Sequence, residues 1–387
     1  MGRIINMSRS LFQRDLRRAY SAIIVVLTVA LAGCASRPGP EVLVPVANAP
    51  GSKDVQIYVA TTRKRATPAE NVFTTERVNE LNFAKFVVAV PPNHQPGDIE
   101  WPKGAPDSRV NFATLNQAVL NYDEFRDAVA PPRKSSRRGK KHDVLIFVHG
   151  FNNNFQESLY RLAQIEADSG FNGVPILFAW PSQAEAVKYG ADKDAAVYSR
   201  DYLIELLRLV TSSPQVGEVM IVAHSMGGML TAEALRELRI QHQDRVIARL
   251  GRIILAAPDI DVAVFRSQVQ TIGPLNPPLT VLVSKDDKAL RLSSFIGGSL
   301  VRAGALDVDN PLVRDAALKA KVRIVDISQL RSPDGGMNHG RLFELAAYYP
   351  KLQSQPTAQR QVSGTFLFDP TKVKQVEAGN SAGAAAK

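Results

Sequence analysis

With 387 residues, 45% of them hydrophobic and 22% charged, the chain is long enough to bury a sizeable core and too apolar to be disordered throughout. Its formal charge of +10 is concentrated: residues 1–33 carry five arginines against one aspartate, the run Arg133 to Lys141 carries six more cations, and the remainder is neutral. No nucleic-acid partner is expected, because such a surface spreads its cations over a folded face instead of holding them in a leader and one solvated loop.

At the N-terminus an arginine-bearing segment ending at Arg18 precedes the apolar run Ala22 to Ala32, which is too short to span a bilayer and suits a signal-peptide core. The run ends in Leu31-Ala32-Gly33-Cys34, with Cys34 the only cysteine of the chain. This motif resembles the bacterial lipobox. The resemblance implies removal of residues 1–33, lipid attachment at Cys34 and a membrane partner reached through that anchor. Ala35, where an aspartate would resemble the inner-membrane retention signal, implies an envelope lipoprotein of a Gram-negative bacterium, sorted to the outer membrane and facing the periplasm.

Residues 34–53, rich in proline and small residues, are expected to be a flexible tether. Over 54–142 the apolar runs Val55 to Ala60 and Phe86 to Val90 predict strands, and a short helix is expected around Asp123 to Val129. These elements are expected to flank a core spanning 143–350. There the strand candidates are Val144–Val148, Ile176–Trp180, Val219–Ala223, Ile253–Ala257, Leu279–Val283 and Val322–Ile327. Helical spacing appears from Phe155 to Ile165, over Ala195 to Thr211, after Ser225, over Val262 to Val269 and over Arg341 to Tyr348. Strands alternating with helices predict an α/β fold with a mostly parallel, doubly wound sheet, whose ligand site lies at the carboxyl ends of the strands. The Gln/Pro/Ala/Gly-rich end, 351–387, is expected to be a disordered tail.

The chemistry-bearing residues fall at those strand ends. Glu218 to Leu230 reads E-V-M-I-V-A-H-S-M-G-G-M-L: a buried strand, a tight turn at Ser225, then a helical face. Ala223 and Gly227, two before and two after the serine, are the small residues that a nucleophile elbow requires. Without an activated serine, Ser225 would be an ordinary helix N-cap. The His149-Gly150-Phe151 turn follows the first core strand, and one of Asn153 and Asn154 is positioned to cap the next helix. Ser284-Lys285-Asp286-Asp287-Lys288 supplies an acid about 60 residues after the serine, in the chain order serine, acid, histidine. Asp286 and Asp287 are both candidates there, with Asp259 and Asp261 weaker ones that could instead cap the helix from Val262. Of six histidines, His339 alone lies in a loop after the last core strand and before a helix.

Seven stretches carry a wider resemblance: I-Y-V-A-T-T-R, F-V-V-A-V-P-P-N-H-Q-P-G, F-V-H-G-F-N-N-N-F, L-F-A-W-P-S, A-H-S-M-G-G, S-K-D-D-K-A-L and N-H-G-R. From about Val55 to Tyr349 the chain resembles a bacterial α/β-hydrolase family of unknown function. The resemblance implies the α/β-hydrolase fold and a catalytic Ser225, Asp287, His339 triad. It also implies an oxyanion hole built from the backbone N–H groups of Phe151 and Met226. No metal or cofactor is needed for that chemistry, and the expected substrate is a small ester or acyl compound. Acyl transfer, thioester or amide cleavage on the same triad, and a non-catalytic envelope lipoprotein that uses the fold for binding, are the alternatives. Trp180-Pro181-Ser182 with the segment to Gly190 is expected to wall the site, and Phe295 to Leu300 to form a flap.

Overall fold

The computed structural model describes residues 37–131, 141–298, 300–350 and 363–370, and from Pro40 onward these belong to one unit. The strands are β1 (Lys53–Arg65), β2 (Phe73–Val90), β3 (Ala113–Leu120), β4 (His142–Val148), β5 (Gly173–Ala179), β6 (Val216–His224), β7 (Leu250–Ala256), β8 (Thr280–Val283), β9 (Arg323–Asp326) and β10 (Gly364–Leu367). The helices are α1 (Tyr122–Val129), α2 (Phe155–Ser169), α3 (Tyr189–Tyr198), α4 (Arg200–Ser212), α5 (Met226–Ile240), α6 (Asp244–Ile247), α7 (Val262–Ile272), α8 (Lys288–Ile296), α9 (Pro311–Lys319) and α10 (Arg341–Leu345).

All ten strands join one sheet in the order β10-β9-β8-β7-β6-β4-β5-β1-β2-β3. From β10 to β1 every pairing is parallel, and β2 and β3 complete the sheet as antiparallel neighbours. Strands buried on both faces need apolar side chains at every position, and β4 and β6 show the result. Val144, Ile146, Val219 and Ile221 face one core, together with side chains of α1, α4, α5 and α7. Leu145, Phe147, Met220 and Val222 face the other, under α2 and α10. Each fully buried side chain of this kind contributes about 1.5–3 kcal/mol, so both layers hold the central strands fixed.

Several expectations are corrected. Only the half of β2 that enters the core was legible; residues 73–82 are largely solvent-facing and carry no apolar run. β3 has a mixed burial pattern and was missed for the same reason. The helix expected from Ala195 to Thr211 is two helices, α3 and α4, broken at Ser199. The buried Ser199 hydroxyl bonds back to the Ala195 carbonyl at 2.8 Å and meets the Thr62 hydroxyl at 2.9 Å. Within the expected tether, a 3-10 turn at Pro40–Leu43 buries Val42 and Leu43, and Tyr160 donates to the Val42 carbonyl at 2.6 Å. Residues 364–367, expected to be disordered, instead pair with β9 along all four residues of β10. Residues 351–362 and 371–387 lie outside the described residues, as do Cys34 and the leader.

Candidate active site

β6 runs directly into α5 through Ser225, whose backbone is at φ 54° and ψ −119°. A non-glycine residue there costs about 1–3 kcal/mol, which the surroundings must offset. They do so through the main chain: the Ser225 N–H donates to the Ala256 carbonyl at 2.9 Å, and the Ser225 carbonyl accepts from Gly228 at 2.9 Å and Asp259 at 3.2 Å. The serine side chain makes no capping hydrogen bond, so the N-cap alternative is not what is found. Close approach explains the neighbouring glycines. A Cβ on Gly227 would lie 2.4 Å from the His149 carbonyl oxygen, and one on Gly150 would lie 3.0 Å from Ser225 Cβ.

The β4 turn therefore packs against the elbow. Asn154 caps α2 with a full capping box, and His149 is buried against Trp180 with ring centroids 4.8 Å apart. Burial first, then the Arg63 charge, pushes His149 down to about 3, which leaves it neutral. The Phe151 N–H donates to no protein acceptor among the described residues. Met226 is the first residue of α5, where N–H groups lack intrahelical acceptors.

Asp287 lies at the other wall. It is fully buried and caps α8, one carboxylate oxygen accepting from the Leu290 N–H at 2.9 Å and the other from His339 Nδ1 at 2.7 Å. The proton thus sits on Nδ1, and Nε2 is the acceptor of the neutral ring. Burial pulls the His339 pKa down, but the Asp287 hydrogen bond and charge, with Asp259 and Asp334 beyond, outweigh it and raise the pKa. Ser225 and His339 line one cavity of about 450 Å³. No hydrogen bond joins them among the described residues, an arrangement common in unliganded sites.

Asp286 has a different partner. Its carboxylate receives Arg341 Nη2 at 2.8 Å and Asn338 Nδ2 at 2.9 Å, and the Arg341 hydrogen bond holds it down at about 2. Asp259 accepts from Ser293 at 2.7 Å and Tyr189 at 2.9 Å and faces Arg302 at 3.3 Å, while Asp261 caps α7. None of these three carboxylates bonds to His339.

Two features of the site, at Asp334 and His224, were not foreseen from the sequence. Asp334 accepts the N–H groups of Asn338, His339 and Gly340 at 3.1, 2.7 and 2.8 Å, so one carboxylate sets the backbone of the histidine loop. His224 Nε2 donates to the His339 carbonyl at 3.0 Å, and its ring lies 4.5 Å from that of His339. Burial, then the His339 charge, lowers His224 to about 3, so it serves as a neutral donor. Tyr189, with Phe151 against its edge at 5.2 Å, forms a wall of the cavity. Of the expected wall from Trp180 to Gly190, Ala186 and Tyr189 line the cavity, whereas Trp180 is fully buried behind His149 and Ser182 bonds to Asp192 at 2.6 Å. The expected flap begins inside α8, whose Leu290, Ser293 and Ile296 line the cavity. The described residues hold no cluster of potential metal ligands and no helix long and apolar enough to cross a membrane.

A doubly wound parallel sheet with an elbow after β6, opening to a cavity at its carboxyl edge, is the architecture of an α/β hydrolase. The chain belongs to the family described as alpha/beta hydrolase of unknown function (DUF900), whose model matches residues 132–355. Among solved structures, a putative hydrolase from Agrobacterium vitis S4 is 13% identical, over 61% of this chain and 87% of that one, at a TM-score of 0.29. Esterase Est22 is 12% identical over 87% and 90%, at a TM-score of 0.37. A fungal esterase structure from Rhizomucor miehei is 11% identical over 82% and 74%, at 0.31. Likeness of this degree carries no argument about activity. No curated protein matches the chain.

Proposed function

We propose that the protein is a serine hydrolase that cleaves a carboxylic ester through an acyl-enzyme. The observation that carries this reading is the 2.7 Å bond from His339 to a buried Asp287, in a cavity that also holds Ser225 at a strained elbow. His339 Nε2 takes the proton of the Ser225 hydroxyl as the oxygen attacks the ester carbonyl. The Phe151 and Met226 N–H groups receive the developing oxyanion, each such donor contributing about 3–4 kcal/mol to the transition state. The histidine passes its proton to the leaving alcohol, and water then releases the acyl group by the same route reversed. Asp287 keeps the ring in the Nδ1–H form and stabilises the imidazolium.

A fluorophosphonate probe tests this without knowledge of the natural substrate. The full chain should be labelled, Ser225→Ala should not be, and His339→Ala should be labelled far more slowly. An unlabelled protein with a native thermal transition would refute the proposal. Attachment to the outer membrane through a lipidated Cys34 is part of the same reading and rests on the Leu31-Ala32-Gly33-Cys34 motif. In a Gram-negative host, Cys34→Ser should leave the leader uncleaved or release the protein from the membrane fraction. Recovery of the unsubstituted protein in soluble, unlipidated form would rule the anchor out.

A further inference from the structure

α8 has two working sides. Leu290 and Ser293 turn inward, and Leu292 and Ile296 reach the cavity edge. Outward, Lys288, Leu292 and Phe295 fall on one stripe at helical spacing, flanked by Arg291 and Ile296. Phe295 is 76% exposed, the segment beyond the helix presents Val301, 60% exposed, and the start of α7 presents Val264, 49% exposed. Val301 is tied there by the Val262 N–H to Val301 carbonyl bond of 3.1 Å. Scattered apolar residues on a surface need no explanation, but Leu292 and Ile296 line the cavity and, with the exposed Phe295 on the same short helix, form an apolar rim at its mouth.

The surrounding charge identifies what covers this rim. Lys285, Lys288 and Arg291 are exposed, and none of them lies within ion-pair distance of a carboxylate among the described residues. Of the acids nearest in sequence, Asp286 is taken by Arg341 and Asp287 by Leu290 and His339. A second copy of the chain packed on this face about a two-fold axis would bring like charges together. A bilayer with anionic headgroups offers apolar depth for Leu292, Phe295 and Ile296 and opposite charge at the level of the cations, as amphipathic interfacial helices require.

We infer that the outer face of α8, with Val264 and Val301, docks on an anionic phospholipid surface and opens the cavity directly onto it. The docking stands on the surface alone. That the cleaved ester is one carried in the bilayer rests additionally on the proposed hydrolase activity.

The test uses the full chain with Phe295→Trp, an exposed position where the larger ring displaces nothing, and Leu312→Trp on α9, 77% exposed, as the comparison. Each is mixed with vesicles of phosphatidylglycerol and phosphatidylcholine, with and without brominated acyl chains. Beyond the emission of the parent chain, Phe295→Trp should shift to the blue and lose intensity with brominated lipid. Leu312→Trp should do neither. The Phe295→Trp effect should weaken with phosphatidylcholine alone and with added salt. Equal responses at the two positions would overturn the docking, as would a blue shift without lipid that grows with protein concentration, since a second copy would then cover the rim. Fluorophosphonate labelling of the same variants separates the two ideas: labelling without quenching removes the docking and keeps the hydrolase, and quenching without labelling does the reverse.

Discussion

The two walls of the cavity are held by different means. On the Ser225 side the main chain does the positioning: strands β4 and β6 pair in parallel, and the turns after them touch through Gly150 and Gly227. On the His339 side, side chains position the site: Asp334 gathers three amides, Asp286 clamps Arg341 and Asn338, and His224 holds the His339 carbonyl. The first wall tolerates no added atom, and the second tolerates no lost polar partner. Each should therefore fail in its own way.

The largest expected effect breaks the second wall at its centre. Asp287→Asn should lower turnover on an activated ester by about 10⁴-fold, because the ring loses its oriented Nδ1–H. Burst kinetics with p-nitrophenyl esters would measure this, and a loss under tenfold would remove Asp287 from the reaction. Gly227→Ala should break the first wall, since its Cβ would meet two main-chain carbonyl oxygens within 2.5 Å. A loss of about 1–3 kcal/mol in urea unfolding is expected, with activity falling alongside stability. Asp286→Asn should instead lower turnover by up to about a hundredfold, with little change in the urea midpoint, as the histidine loop drifts. If stability and activity fell together there too, the two walls would not differ in kind.

Smaller effects sharpen the comparison through pH. In the proposed reaction His339 must be neutral, and its pKa is raised by Asp287, so kcat/KM should climb with pH through a midpoint above the ordinary histidine value. His224→Gln, which leaves an amide donor beside the His339 carbonyl, should leave that midpoint in place, because His224 is itself neutral over this range. Outside the cavity lining, His94 bridges Glu100 at 2.8 Å and Asp168 at 2.9 Å. Burial pulls its pKa down, but the two carboxylates win and raise it to about 9. Raised in the folded state, this histidine stabilises the fold fully below the unfolded value of about 6.5, and the contribution fades as pH rises toward about 9. With solvent screening the loss should be about 1–2 kcal/mol, and His94→Gln should flatten it in thermal scans at different pH.

The same contrast explains what was legible in the sequence. Main-chain positioning demands small residues at set offsets, so Ala223, Ser225 and Gly227 announced the elbow, and buried parallel strands announced themselves as apolar runs. The proposed acid could be narrowed to Asp286 and Asp287 because both follow a core strand about 60 residues after the serine, and neighbouring residues of equal chemistry leave no trace of which way each points. Asp334 lies in the same loop as His339, yet nothing in Pro333-Asp334-Gly335 indicates that its carboxylate reaches three amides ahead. Arg341 sits 55 residues from the acid it clamps, and no periodicity links them. β10 was hidden in a stretch rich in polar and small residues, where four residues of strand carry too little pattern to register.

β10 also bears on how the protein comes to be made. The outer side of β9 is closed by Gly364–Leu367, and the Phe368 N–H adds a bond to the Asp326 carbonyl at 2.9 Å. During synthesis those residues leave the ribosome after every other strand, so the growing chain carries β9 with one row of unpaired amides and carbonyls until they arrive. A ribosome stalled, or a stop codon placed, between residues 350 and 364 would leave a nearly complete sheet with a bare strand that a neighbouring nascent chain can extend.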